Sequence, residues 1–333
     1  MQNKKNLLVT LADKNYVKQA KQLFSSAYWN AGWKGDYMLL AHKIPEKELK
    51  WFRKKGILIK KCELFDKKDF EYWPPTILIK FYLFSAEFKK WKNVIFLDAD
   101  ITIRASLNEL THIKGFAAVK EIIPRSKLYY QFLGAEEKDS ELFNKLKKNY
   151  SLGARAFNSG VMAFNTNIIK EDSFSKLKEI FKIYKEVIVF GEQPVLNLFF
   201  NKKWKTLPRI YNVFPDLLTK ACYIKPEKIK GKILHFPGPK PWIEKDFFYK
   251  EWQENLKRAE QIDLKKIPQG RIWTKKETKK NSAYIKKIHM VFYLNKYIGL
   301  AGEFIKKISP SSYFLLKKIK TSLNIDSLAD KIR

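Results

Sequence analysis

Residues 93–103 read NVIFLDADITI, and the reading of that stretch decides the fold. Val94, Ile95, Phe96 and Leu97 make a short β-branched and aromatic run, the mark of a strand buried on both faces. Asp98 and Asp100 follow at its carboxyl end, one residue apart. In an extended chain, residues i and i+2 face the same side. Two negative charges are therefore held close together, and they require a positive partner or water.

The segments before this stretch repeat a pattern. Leu7 to Ala12 predicts a strand, and Asp13 to Ser26 a helix with Tyr16, Val17, Ala20, Leu23 and Phe24 at helical spacing. Asp36 to Ala41 predicts a second strand. Pro45 to Lys55 predicts a short helix that Gly56 ends before the strand ILIK. Thr76 to Lys90 predicts a further helix. Strands alternating with helices argue for an α/β domain with a mostly parallel sheet covered by helices. Ligands of such sheets bind outside the carboxyl ends of the strands, which is where Asp98 and Asp100 fall. Downstream, Val161 to Asn165 predicts a strand preceded by FNSG, Glu192 to Asn201 a helix, and Lys232 to Phe236 a strand followed by the loop PGPKPW. His235 closes that strand, so it is expected at the same carboxyl edge of the sheet.

The 333 residues suffice for one large α/β domain with an appendage. An apolar content of 45% excludes wholesale disorder. Cys62 and Cys222 stand in unrelated contexts and make neither a disulfide framework nor a zinc motif, which fits a reducing compartment. MQNKK leads straight into LLVTLAD, too short an apolar stretch for a signal-peptide core. The net charge of +32 points to polyanions nearby, whether nucleic acid, an anionic membrane surface or phosphorylated substrates.

Two motifs carry chemistry. A D-x-D ending a hydrophobic strand can hold a hard divalent cation through carboxylate oxygens, and the cation can bridge nucleotide phosphates. The other reading of the pair is a solvated turn or a helix cap. HFPGPKPW, residues 235–242, is stiffened by Pro237, Pro239 and Pro241. Within it, Gly238 permits close approach to a ligand, and Lys240 adds a point charge suited to phosphate. His235 alone reads as a buried, satisfied histidine. Beside a D-x-D it reads as a further ligand.

LADKNY, FLDAD, FNSGVMAFN, GEQPVLN and HFPGPKPW occur in this order. Over roughly residues 5 to 245 the series resembles glycosyltransferase family 8, the group that contains glycogenin and the bacterial lipooligosaccharide galactosyltransferases. The resemblance implies a GT-A fold, a UDP-sugar donor, a manganese ion (Mg²⁺ being the alternative) and retention of anomeric configuration. It makes Asp98, Asp100 and His235 the metal ligands, and Gly238 and Lys240 the diphosphate clamp. Leu11, Ala12, Asp13, Asn15 and Tyr16 resemble the segment that holds the nucleoside, with Asp13 accepting from the uracil N–H and Tyr16 stacking on the base. Asp13 also reads as a helix N-cap. Lys80 resembles the basic residue that contacts the donor, and Ala99 the residue whose backbone meets the ribose. Asn158, Ser159 and Gly160 resemble the segment beside the donor sugar. Glu192 and Gln193 resemble the catalytic acid–glutamine pair, with Gln193 on the sugar face away from the acceptor. Two departures concern the sugar. Glu192 and Pro194 flank the glutamine where the family often has aspartates, and Lys120 and Glu121 stand where an aspartate is usual.

The catalytic domain is expected to span residues 1–245, and residues 246–333 a basic, mainly helical extension. From Arg271 onward, basic residues far outnumber Glu277, Glu303, Asp326 and Asp330. They are interleaved with Tyr284, Ile285, Ile288 and Phe292, and past Pro310 with Tyr313, Phe314, Leu316, Ile319 and Leu323, beside Lys317, Lys318 and Lys320. The pattern fits helices lying in an anionic interface, or a helical cap packed on the domain. The chain is thus expected to be cytoplasmic and peripheral on the membrane, with a glycan or glycolipid acceptor. Two rivals remain: a polyanion-binding protein and a UDP-sugar binder without turnover. No recognition motif for DNA or RNA is present, so no specific nucleic-acid partner is expected.

Overall fold

The computed structural model describes residues 4–68, 73–122, 126–132, 134–188 and 190–308. Strands β1 (Leu7–Asp13), β2 (Asp36–His42), β3 (Leu58–Lys61) and β4 (Asn93–Leu97) precede a short β5 (Ile101–Ile103). After them come β6 (Phe116–Lys120), β7 (Phe157–Asn165), β8 (Trp204–Leu207) and β9 (Ile233–His235). Seven of these form one sheet in the order β3-β2-β1-β4-β7-β6-β8, and β5 pairs with β9 separately. β1, β2, β3 and β4 run parallel to one another, as does β8 to β6, while β7 runs antiparallel between β4 and β6. This is the mostly parallel, helix-covered sheet that the alternating pattern predicts.

Alternate residues of each strand feed two cores, because successive side chains point to opposite faces. Leu8, Leu39 and Ile95 face α1 (Val17–Trp29), whose Ala20, Leu23, Phe24 and Ala27 are fully buried against them. Leu7, Val9, Val94 and Phe96 face the other layer. There they meet Leu78, Phe81 and Phe84 of a 3₁₀ segment, Leu177 and Phe181 of a later helix, and Val195 of another. Every residue of β4 is buried, which accounts for its unbroken apolar run.

The remaining helices are α2 (Glu46–Lys54), α3 (Ala135–Lys138), α4 (Ser140–Asn149), α5 (Ser173–Tyr184), α6 (Gln193–Phe199), α7 (Pro241–Glu244), α8 (Tyr249–Arg258) and α9 (Lys275–Ile308). Gly56 takes φ +75° behind α2, as the predicted stop requires.

Several predicted elements shift. α1 starts at Val17 because Asp13 to Tyr16 form a turn in which the Asp13 carboxylate accepts from Asn15 N at 2.8 Å. Asp13 is therefore not the helix cap. The helix predicted over Thr76 to Lys90 is two 3₁₀ segments, Pro75–Phe84 and Ala86–Lys90, divided at Ser85, whose ψ of 152° is extended. FNSG lies inside β7, not before it, since its backbone continues the ladder to β6 past a bulge at Ala118/Val119.

Between residues 246 and 293 the chain packs on the domain. Phe248, Ala259, Ile262 and Trp273 join the α1-side core, and Arg104 forks onto Glu251 of α8. Ile285, Ile288 and Val291 of α9 are buried in the same core. Two residues expected at a lipid interface, Ile285 and Ile288, are thus covered by protein. Each buried aliphatic side chain stabilises this docking by about 1.5–3 kcal/mol. No helix among the described residues is long and apolar enough to cross a membrane. Residues 309–333, with the predicted interfacial group around Tyr313 to Leu323, lie outside the described residues.

Candidate active site

Asp98 and Asp100 leave β4 in a turn, yet their carboxylates converge. The convergence depends on β5. Ile101 lies opposite His235 in the antiparallel β5–β9 pair, and Phe236 N donates to Asp100 O at 3.0 Å. His235 therefore arrives from the small second sheet and not from the main one, a correction to the sequence expectation. A three-residue strand shows no partner preference in sequence, so only the folded pairing reveals this. His235 Nε2 lies 3.2 Å from Asp100 Oδ1 and 3.9 Å from Asp98 Oδ2. One ligand atom from each of the three residues falls within 4.8 Å of the others.

The positive partners of the acid pair are two lysines. Lys80 Nζ donates to Asp98 Oδ1 at 2.8 Å and to Glu192 Oε1 at 2.6 Å. Lys240 Nζ donates to Asp100 Oδ2 and to Phe236 O, each at 2.5 Å. Burial favours the neutral form of Lys80, but the carboxylates of Asp98 and Glu192 overcome it and raise the ammonium pKa. Burial likewise pushes the Asp98 carboxyl up, with Lys80 offsetting it only in part. For Asp100 burial is outweighed by His235 and Lys240, which hold its carboxyl below the usual range.

The residues present fit a divalent cation. Asp100 Oδ1 is buried and accepts no hydrogen bond. His235 Nδ1 meets Asn212 Oδ1 at 2.9 Å. As amide oxygen only accepts, that contact keeps a proton on Nδ1, so that when the ring gives up its other proton the Nε2 lone pair faces the carboxylates. Asn212 Nδ2 in turn donates to Asn158 Oδ1 at 2.9 Å. Sequence reading missed Asn212, because nothing in IYNVFPD marks it. Gly160 also proves structural: a Cβ there would lie 2.3 Å from His235 Cε1 and 2.9 Å from Asp98 Oδ2. Only glycine leaves room for the ligand set.

Asn158, Ser159, Glu192 and Gln193 form one hydrogen-bonded group. Gln193 Oε1 accepts from Ser159 N at 3.0 Å, and its Nε2 donates to Glu121 Oε2 at 3.1 Å. Asn158 Nδ2 donates to the same Glu121 oxygen at 3.1 Å, and Ser159 Oγ to Glu192 Oε1 at 2.7 Å. Glu121, a departure from the family pattern, is thus part of the site.

A cavity of about 330 Å³ joins these groups. Of the residues singled out from sequence, Leu11, Ala12, Asp13, Tyr16, Lys80, Asp98, Ala99, Asp100, Asn158, Ser159, Gly160, Glu192, Gln193, His235 and Lys240 line it. Asn15 and Gly238 do not line it. Asn15 is exposed, and a Cβ on Gly238 would meet nothing closer than Asp216 Oδ2 at 3.8 Å. Tyr16 meets Trp242 edge-on at 6.4 Å at the β1 end of the cavity. Trp73, Ile77, Phe190 and Phe214 add apolar wall that sequence reading did not single out.

Comparison with known proteins agrees with this arrangement. The family described as Glycosyl transferase family 8 matches residues 7–246. A protein named "Probable glycosyl transferase Gly" from Streptococcus gordonii is 27% identical over 54% of this chain and 23% of its own length. "Galactinol synthase 4" from Arabidopsis thaliana is 23% identical over 60% of this chain and 61% of its own. The chain spans less than two thirds of the length of these relatives. Among solved structures, the galactosyltransferase LgtC in complex with donor and acceptor sugar analogs superposes with a TM-score of 0.56 at 18% identity, over 75% of this chain and 95% of that one. The glycosyltransferase GlyE of Streptococcus pneumoniae gives 0.57 at 19% identity, over 79% and 63%. The structural likeness establishes the GT-A fold, and the match over residues 7–246 establishes that this chain belongs to glycosyl transferase family 8.

Proposed function

We propose that the protein is a retaining, Mn²⁺-dependent hexosyltransferase that moves a sugar from a UDP-sugar to a glycan or glycolipid acceptor. The carrying observation is the Asp98–Asp100–His235 group, with Asp100 Oδ1 unpartnered and His235 Nε2 freed by Asn212. A mixed oxygen and nitrogen set suits Mn²⁺ better than Ca²⁺ or Mg²⁺. The bound ion supplies neutralisation of the charge that develops on the departing diphosphate. Lys240 carries a mobile-headed positive charge at the same place and exchanges Asp100 for phosphate oxygen. Leu11, Ala12, Asp13 and Tyr16 line the β1 end of the cavity and take the nucleoside, and Ala99 approaches the ribose.

Retention is what membership of the family implies, and the carboxylates bear on how it is reached. Glu192 is tied to Lys80 and Ser159, and Glu121 to Asn158, Gln193 and Ile122 N. Gln193 is held at both ends of its amide and is a poor nucleophile. Among the described residues beside Gln193, no acid is free to attack the sugar from the far face, as paired-carboxylate retention requires. The acceptor hydroxyl therefore attacks from the face the diphosphate leaves, and the departing phosphate oxygen takes its proton. Residues 1–245 act as the catalytic domain. Residues past Tyr293 in the 246–333 extension carry the peripheral contact with an anionic membrane, at the cytoplasmic face.

Titration calorimetry with UDP, with and without Mn²⁺, followed by a screen of UDP-sugars for Mn²⁺-dependent hydrolysis, tests the donor. NMR of the transferred anomer tests retention. Failure of UDP to bind in the presence of Mn²⁺ would sink the reading.

A further inference from the structure

Three positive groups collect beside the cavity without taking part in the donor site. β6 ends at Lys120, whose carbonyl accepts from Arg209 Nη1 at 3.2 Å. Lys120 lies opposite Phe157 in the β6–β7 ladder, two residues beyond Arg155. Lys127 bridges Arg155 on the same edge. Burial, then the charges of Arg209 and Arg155, lower the Lys120 ammonium pKa, as like charges at short range do. Among the described residues none of Lys120, Arg155 and Arg209 forms an ion pair. Like charges repel, so an anion that joins the cluster is drawn by all three.

Its place indicates which substrate brings the anion. Glu121, the next residue after Lys120, bonds Asn158 and Gln193 on the sugar side of the site. The turn Arg209–Tyr211 leads into Asn212, which orients His235. The cluster thus flanks the Glu121 side of the cavity and not the Tyr16–Trp242 side. None of the three lines the cavity. An anion held there would lie outside the cavity, so a substrate that carries it must reach beyond the space a compact donor fills.

We propose that Lys120, Arg155 and Arg209 form a subsite for a phosphate ester carried by the glycan acceptor, at least one unit away from the hydroxyl that is glycosylated. The proposal rests on the glycosyl-transfer reading above. The Arg155 guanidinium fork and the Lys120 ammonium, with the charge of Arg209 behind them, match the several oxygens and the charge of a phosphate better than a single carboxylate. A substrate read this way is aligned by an ionic contact remote from the reacting centre, which leaves the cavity itself to accept the sugar ring.

The test uses the full chain and a soluble oligo(glycerol phosphate) as probe, at about 0.15 M salt to suppress diffuse attraction. The pair Lys120→Gln/Arg155→Gln is compared with Lys47→Gln/Lys50→Gln on α2, which removes the same charge from exposed positions near the opposite edge of the sheet. Arg209 is kept because it also donates to Tyr293 Oη of α9 at 3.1 Å. The first pair is expected to weaken probe binding about tenfold, the second to leave it unchanged, and both to retain Mn²⁺-dependent UDP binding. Equal losses in the two pairs would reduce the effect to net charge and overturn the proposal. So would a first pair that binds the probe normally but loses vesicles of phosphatidylglycerol, which would make the cluster a lipid-headgroup surface. If the wild-type chain fails to bind UDP, the donor reading fails, while the probe comparison still reports on the cluster.

Discussion

At the scale of single residues, the site depends on groups that position other groups. Asp98→Ala, Asp100→Ala and His235→Ala are each expected to abolish Mn²⁺-stimulated turnover without unfolding the protein. Near wild-type activity in either aspartate variant would refute the ligand assignment. Asn212→Ala tests the second layer. Without its oxygen the His235 ring loses the partner that fixes its tautomer, and metal affinity should fall by about 10–100-fold, measured by titration with Mn²⁺. Lys240→Ala should weaken UDP binding by about 1.5–3 kcal/mol, the worth of a charge-assisted contact. Lys80 differs in kind. Its side chain and that of Glu192 are each 4% exposed, so Lys80→Met strands a buried carboxylate and should cost about 3–5 kcal/mol of stability in denaturant unfolding.

At the scale of elements, α9 is the helix whose role changes most between sequence and structure. Its residues Ile285, Ile288 and Val291 are core residues, so ending the chain near Gly270 should lower the melting temperature and not only alter membrane binding. His289 adds a pH dependence. It is buried, and burial, with the Arg209 charge adding to it, lowers its pKa to about 3. An unfolded histidine titrates near 6.5. Above pH 6.5 both states are neutral and the contact is fully stabilising. As pH falls below 6.5 the unfolded chain takes up a proton that the folded chain refuses, and stability is lost down to about pH 3. At pH 5 the loss is about 2 kcal/mol. His289→Leu should flatten the change in melting temperature between pH 7.5 and pH 5, and an unchanged slope would place the titration elsewhere.

For the whole molecule, the charge of +32 far exceeds what the proposed donor site uses, since among the described residues only Lys80 and Lys240 stand beside its acid pair. The rest act at longer range. Flotation with anionic and neutral vesicles, comparing the full chain with one ending after Tyr293, tests membrane attachment without disturbing the α9 core residues. The full chain should float only with anionic vesicles, and salt should release it, because each lysine near such a surface contributes about 1 kcal/mol. Equal behaviour of the two chains would leave the extension as a cap on the domain.

The sequence alone determined the alternating sheet, the buried β4 strand, the acid pair at its end and the ordered motifs from LADKNY to HFPGPKPW. These are local patterns, set by side-chain periodicity and by residues adjacent in the chain. Tertiary structure decided the rest. It routed His235 to the acids through the β5–β9 pair, placed Asn212 behind the imidazole, reserved Gly160 by steric exclusion, and brought Glu121 and the lysine partners into the cavity. It also turned Ile285 and Ile288, expected at an interface, into core. Each of these depends on contacts between residues tens to more than a hundred positions apart, whose pairing is fixed by the packing of the whole sheet. A three-residue strand or a lone asparagine carries no pattern of its own that could announce such a partner.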